Sequence, residues 1–380
     1  GKSALKLSYA CYSDQVPVMW FSEVSPAVMG QYQFNWWDDN GNGQPDSPGI
    51  DHYQYRWSLG DFKLPDPDYL RKMVDPDLHA PVHNEFTAGI EHQLFKDFAV
   101  KLTYIHKKKT DLFGWGKYDL ATEKYWYTLE QAPNWYVPFT TTVPAYGSFP
   151  EQTVTVYFMS ADSPYETMVS IKTNFPEAYT KYDGLELSFD KRFNNGWALG
   201  GSATFSKTTS FTLGDSPNDF VNAHGRDSYD VPFLFKLYGT FDLPYGFVTS
   251  FFLNYRVGYP WGRSVSIVPP DDWAEANNIV PWSVWVMLEP NGTRRQQDYT
   301  NVDFHLEKEF KLPFGTLGAF VDIYNLFGNR YVNYGLNPIS EWFPVAEGTN
   351  QGTYTMDYDY NRVTCIDATR TFKFSIRYKF

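Results

Sequence analysis

The chain has 380 residues, 43% of them hydrophobic, 19% aromatic and 20% charged, with a formal net charge of −12. This hydrophobic and aromatic content excludes a disordered chain, and two cysteines exclude a disulfide scaffold. The acidic balance argues against a nucleic-acid surface, and no stretch approaches the ~20 apolar residues of a membrane helix.

Apolar and polar residues alternate in segment after segment, which marks strands with two unlike faces. In chain order, Leu5, Leu7 and Tyr9 oppose Lys6 and Ser8. Phe86, Ala88 and Ile90 oppose Thr87 and Glu91, and Phe98, Val100, Leu102 and Tyr104 oppose Lys101 and Thr103. Leu185, Leu187 and Phe189 oppose Glu186, Ser188, Asp190 and Arg192, while Trp197, Leu199, Ala203 and Phe205 oppose Ser202, Thr204 and Ser206. Phe233, Phe235, Leu237 and Phe241 oppose Lys236, Tyr238 and Asp242, and Phe247, Thr249, Phe251, Leu253 and Tyr255 oppose Ser250, Asn254 and Arg256. Val302, Phe304 and Leu306 oppose Asp303, His305 and Glu307, and Leu317, Ala319, Val321 and Ile323 oppose Gly318, Phe320, Asp322 and Tyr324. The clearest segment is the last, where Phe372, Phe374, Ile376, Tyr378 and Phe380 alternate with Thr371, Lys373, Ser375, Arg377 and Lys379. The pattern predicts about ten strands, most near the ~10 residues of a tilted membrane-spanning strand.

The connections separate the possible folds. One set is short: Lys96-Asp97, Asn194-Asn195-Gly196, Pro244-Tyr245-Gly246 and Pro313-Phe314-Gly315, most of them suited to tight hairpins. The alternate set is long, roughly 13–82, 110–178, 210–228, 259–297 and 330–366, and compact soluble domains rarely hold such loops. Short and long connections at opposite ends are the pattern of outer-membrane barrels. A soluble jelly roll or propeller is the alternative, and the charged strand face would suit its solvated exterior equally well. No blade repeat is present, so loop asymmetry and strand length favour an all-β, antiparallel transmembrane β-barrel.

Four stretches are similar to the C-terminal half of a TonB-dependent outer-membrane receptor of the Oar-like kind. Gly1-Lys2-Ser3-Ala4-Leu5-Lys6-Leu7-Ser8-Tyr9 resembles a mid-barrel ascending strand, and Tyr182-Asp183-Gly184-Leu185-Glu186-Leu187 through Lys191-Arg192-Phe193-Asn194-Asn195-Gly196-Trp197 resembles a hairpin with Lys-Arg before its turn. Val321-Asp322-Ile323-Tyr324-Asn325-Leu326-Phe327-Gly328 is similar to the Asn-Leu-Phe-containing penultimate strand, and the terminal aromatic residue resembles the signal read by the barrel-assembly machinery. Together they span essentially the whole chain. The resemblance implies residence in the outer membrane of a Gram-negative bacterium, with extracellular loops and energy-coupled nutrient uptake. Partners would be outer-membrane lipid, a plug, the TonB complex reached through that plug, and other outer-membrane or surface proteins.

Such receptors also carry a secretion signal, a TonB box, a plug and 22 strands, whereas the opening residues here lack the apolar run of a signal peptide and about ten strands are legible. Ten strands in an open sheet leave two edges in lipid, where each unsatisfied backbone group costs several kcal/mol. The chain is therefore expected to be part of a larger barrel, with residues 1–380 forming one barrel domain. A self-closed ten-strand barrel is the alternative. On this reading Glu186, Asp190, Arg192, Lys236, Asp242, Asn254, Arg256, Asp303, Asp322, Lys373 and Arg377 line the lumen or contact a plug. The competing functional class is a structural, assembly or secretion barrel with no transport of its own.

One stretch has metal-site spacing. Asp38-Asp39-Asn40-Gly41-Asn42-Gly43-Gln44-Pro45-Asp46 matches the first part of an EF-type calcium loop. Asp38, Asn40, Asn42 and Asp46 would supply side-chain oxygens and Gln44 its carbonyl, but Gly49 stands where the bidentate Glu belongs. An Asn/Gly turn cluster needing no metal fits the same residues. The seven His show no zinc-finger spacing and no Gly-x-Ser-x-Gly elbow exists, so no catalytic residues and no enzyme are expected. Cys11 and Cys365 are expected as unpaired thiols near the extracellular ends of their strands; a disulfide would favour self-closure. The loop aromatics Trp36-Trp37, Tyr125-Trp126-Tyr127, Asn134-Trp135-Tyr136, Trp273, Trp282, Trp285 and Trp342 are expected to pack within the loops and the interfacial girdle rather than stack on a ligand.

Overall fold

The computed structural model describes residues 2–14, 31–44, 52–59, 72–125, 130, 135–163, 168–211, 214, 216–330, 332–334, 336–344, 352–366 and 369–380. Ten strands form one antiparallel sheet in strict chain order: β1 (Ser3–Ser13), β2 (Val82–Phe95), β3 (Phe98–Thr110), β4 (Thr180–Asn194), β5 (Trp197–Phe211), β6 (Phe233–Leu243), β7 (Phe247–Arg256), β8 (Tyr299–Leu312), β9 (Gly315–Tyr324) and β10 (Thr371–Lys379). The short strand His224–Arg226 adds to the end of β5. Among the described residues β1 and β10 are not paired with each other, so the sheet is an open meander.

The tight turns follow from local chemistry. Asn195 (φ 57°) and Gly196 (φ 82°) both occupy the left-handed region, which a two-residue hairpin needs if its twist is to match the strands it joins. In the Pro244–Gly246 connection, Tyr245 takes φ 65° with its ring 88% exposed. All four short turns lie at one end of the sheet, and the long connections 14–81, 111–179, 212–232, 257–298 and 325–370 leave from the other.

Register turns the alternation of single strands into two continuous surfaces. Leu7, Ala88, Tyr104, Leu185, Phe205 and Phe233 are successive cross-strand partners from β1 to β6. Farther along, Phe251, Phe304, Ile323 and Phe372 make a second such row. This face is apolar and uncovered, with Leu5 72%, Leu7 66%, Phe374 74% and Ile376 79% exposed. A water-soluble sheet covers such a face; a membrane barrel turns it to lipid.

The densest packing lies beyond the strands. Val143, Val154, Val156 and Phe158 from connection 111–179 pack with Val265, Ile267, Val286 and Leu288 from connection 257–298. Ile339 and Trp342 from connection 325–370 complete this core. Each fully buried Val, Ile or Phe contributes roughly 1.5–3 kcal/mol, so three loops are held together as one cap. The helix α1 (Asp271–Ala276) lays Trp273 against Phe139 and Phe158, at centroid distances of 4.7 and 5.7 Å. Trp342 donates its indole N–H to Thr141 Oγ1 at 2.9 Å. The loop aromatics Trp273 and Trp342 therefore pack, whereas Trp282 and Trp285 stand 56% and 52% exposed.

Candidate lumen face and loop cap

The second face of the sheet is polar, and of the eleven residues singled out for it all but Arg192 lie at register positions on that face. Thr240, Ser250, His305, Asp322 and Lys373 are successive partners across β6 to β10, and Lys236, Asn254 and Asn301 form a row nearer the loops. His305 Nδ1 meets Asp322 Oδ1 at 2.5 Å. Arg377 donates to Glu307 at 2.7 Å and Glu309 at 3.1 Å while its guanidinium lies over Phe320 at 4.6 Å. Glu186 sits between Thr103 and Thr204, Asp190 between Ala99 and Gly200, and Asp242 opposite Val248. Arg256 stacks on Tyr259 and Tyr299 at 4.1 and 5.1 Å where the sheet meets the cap. Arg192 is exposed beside the 195–196 turn, just past a register shift in β4. Opposite charges meet across strands on this face at Lys6–Glu91, Lys107–Glu85 and Arg377–Glu307.

Asp303 belongs to a cavity of about 450 Å³ lined by Asp298, Tyr299, Asn301, Asn325 and Arg330 at the loop end of β8 and β9. Asn325 explains why the Asn-Leu-Phe segment has an Asn. It adopts φ 52°, which Asn tolerates better than most residues, and its side chain closes a turn onto Asn329 through bonds of 2.7 and 3.0 Å. Its backbone N–H then donates to Asp303 at 2.9 Å.

The cap contains charge clusters that no sequence spacing pointed to. Glu289 receives Arg294 Nε at 2.6 Å and the Arg263 backbone N–H at 3.2 Å, while the Arg263 side chain, 3% exposed, lies 3.4 Å away. Burial pushes the Glu289 carboxyl upward, but the two arginines outweigh it and hold it below the ordinary value. Asp230, fully buried, accepts from Arg295 at 2.5 Å and from the Thr208 N–H at 2.6 Å, tying connection 212–232 to 257–298 and to β5. Asp75 is likewise raised by burial, yet Thr173 at 2.6 Å and Tyr125 at 2.5 Å pull it below its usual range. Apart from Glu289–Arg294, five positions apart, these contacts join residues 22 to 98 positions apart.

In the Asp38 loop, Asp38 Oδ1 accepts the Gly41 and Asn42 N–H groups at 2.6 and 3.1 Å and Oδ2 accepts that of Gly43 at 2.7 Å. Asn40 and Asn42 close the next two turns onto the Asn42 and Gln44 N–H groups. Asp46 lies outside the described residues, as does the side chain of Cys365; Cys11 is exposed on β1. Among the described residues no group of three His, Cys, Asp or Glu is placed to hold a metal.

Residues 59–259 match the family model described as an outer membrane beta barrel domain. No curated protein sequence matches the chain. Among solved structures, it is similar to FpvA of Pseudomonas aeruginosa in a complex with a heterologous pyoverdine, at 14% identity and a TM-score of 0.40 over 80% of this chain and 28% of that one. It is also similar to the ferric enterobactin receptor PfeA of the same organism, at 12% identity and a TM-score of 0.43 over 99% and 38%. The outer membrane transporter YddB of Escherichia coli gives 14% identity and a TM-score of 0.39 over 80% and 33%. The chain thus spans about a third of the length of these structures. With a family match over more than half its residues, the chain belongs to the outer-membrane β-barrel domain family and is a protein of the Gram-negative outer membrane.

Proposed function

We propose that the chain is the C-terminal barrel portion of a TonB-dependent receptor that takes up a nutrient across the outer membrane with energy coupling. The observation that carries this reading is the split of polarity over ten registered strands: a lipid-compatible outer face, a charged inner face, and an ordered cap over the loop end. The inner face suits a water-filled lumen or a plug surface, with Glu186, Asp190, Arg192, Lys236, Asp242, Asn254, Arg256, Asp303, Asp322, Lys373 and Arg377 as its lining. Among the described residues the outer edges of β1 and β10 have no paired strand, and exposed backbone groups are not tolerated in lipid, so this reading calls for further strands. The sequence resemblance to Oar-like receptors supplies the plug and the TonB complex as partners.

The Asp38 loop has the spacing of the first half of a structural calcium site: Asp38, Asn40, Asn42, the Gln44 carbonyl and Asp46 are oxygen donors of the right kind. A bound ion would neutralise Asp38 and stiffen the loop.

The test is to isolate the polypeptide holding this chain from outer membranes, sequence it, and probe it with the periplasmic domain of TonB. The reading expects a plug, a TonB-binding segment, and uptake that stops in cells lacking TonB. A polypeptide with no plug and no TonB binding would refute it and leave a structural or secretion barrel.

A further inference from the structure

Just above the last fully apolar row of the outward face, on the side of the long loops, that face turns basic. In β3, β4 and β5, Asp183 pairs with His106 on one side and Lys207 on the other, and Lys181 pairs directly with Lys108. Strand alternation sends all five side chains outward, in line with Tyr104, Leu185 and Phe205 beneath them. Asp183 accepts hydrogen bonds from His106 Nδ1 at 2.7 Å and Tyr104 Oη at 2.9 Å, with Lys181 Nζ at 3.2 Å. One carboxylate therefore stands among three lysines and a histidine. Lys108 and Lys207 are exposed, and among the described residues neither has a carboxylate within ion-pair distance.

The neighbours make the contrast plain. Lys107 and Lys109, on the inward face, are neutralised by Glu85 at 3.1 Å and Asp14 at 2.5 Å. Lys108, between them, faces out opposite Lys181, so two like charges meet where Asp183, 3.2 Å from Lys181, is the one carboxylate of the cluster. A chain of net charge −12 thus keeps uncompensated cations at the upper rim of its lipid-facing band.

We propose that Lys108, Lys181 and Lys207, organised around Asp183 and His106, form a binding site for the phosphate-bearing headgroup of an outer-leaflet lipid. The phosphate accepts charge-assisted hydrogen bonds from the lysines, and the acyl chains run down over Tyr104, Leu185 and Phe205. The site depends on the barrel facing lipid and holds whether or not the barrel transports anything.

The experiment measures binding of diphosphorylated lipid A to the protein purified from outer membranes, by native mass spectrometry. Its arms are dephosphorylated lipid A, competition by inorganic phosphate, and the inward control pair Lys107→Gln/Lys109→Gln. The triple variant Lys108→Gln/Lys181→Gln/Lys207→Gln should lose roughly a hundredfold in affinity, at about fivefold per lysine near a charged lipid surface. Lys207→Gln alone should lose several-fold, and the inward pair should bind as the parent does. Equal affinity for the dephosphorylated lipid, full competition by inorganic phosphate, or an unchanged triple variant would overturn the proposal and leave the lysines as ordinary interfacial side chains.

Discussion

Leu187 and Glu186 are adjacent in sequence and face opposite sides, so one substitution at each tests the assignment of faces. Leu187 is the middle residue of the fifteen in β4, is 50% exposed, and lies between Leu102 and Ala203 on the apolar face. Arginine there faces the lipid-compatible surface, at a cost of up to about 2–4 kcal/mol, the value for the bilayer midplane. At about 1.4 kcal/mol per tenfold, that midplane value shifts the folding equilibrium roughly thirty- to a thousandfold. Glu186 sits between two threonines on the polar face, and Arg at that position should stay within about 0.5 kcal/mol of the parent. The assay is urea unfolding of the purified protein in phospholipid vesicles, followed by tryptophan fluorescence and by the heat-dependent mobility of the folded barrel. Equal costs at the two positions, or a greater cost for Glu186→Arg, would refute the assignment.

The cap offers three further tests. Glu289→Gln leaves Arg263 buried without its counter-charge and should destabilise the cap by about 3–5 kcal/mol, read as faster limited proteolysis of the loops while the barrel stays folded. Because the folded Glu289 carboxyl titrates below its ordinary 4.5, the stabilisation is complete above that value and lost as pH falls through the lower folded one. Loop protection should accordingly hold down to about pH 5 and then decline, with a shallower decline in Glu289→Gln; an identical profile would count against the pair. Trp342→Ala removes a 7%-exposed indole from the three-loop core and should cost about 3–5 kcal/mol of cap stability, visible as cleavage in all three loops together. Cleavage confined to 325–370 would mean the loops fold independently. Chelation and Asp38→Ala should each loosen loop 14–81 to protease; unchanged protection under both would remove calcium from the account.

The strands, their two faces and the four tight turns were legible in the sequence, because alternation and turn geometry are set by residues one to four positions apart. The Phe372–Phe380 ladder and the Asn195-Gly196 turn needed no partner to be recognised. The cap was not legible. Val143, Ile267 and Trp342 meet although 124 and 75 positions separate them in the chain, and neither burial nor neutralisation by Arg263 leaves a periodic trace around Glu289. The aromatic residues show both regimes. Strand rings such as Phe205 and Phe374 were assigned outward by period alone, whereas among the loop rings only packing separated buried Trp342 from exposed Trp285. The lysines follow the same logic. Lys107-Lys108-Lys109 reads as a charge run until register places two of its members against Glu85 and Asp14 and the third opposite Lys181. Local stereochemistry decides which way a strand residue points. Which charges meet there, and which loops close over them, is decided by long-range pairing, whose energy comes from burial and cross-strand contact rather than from any short stretch of chain.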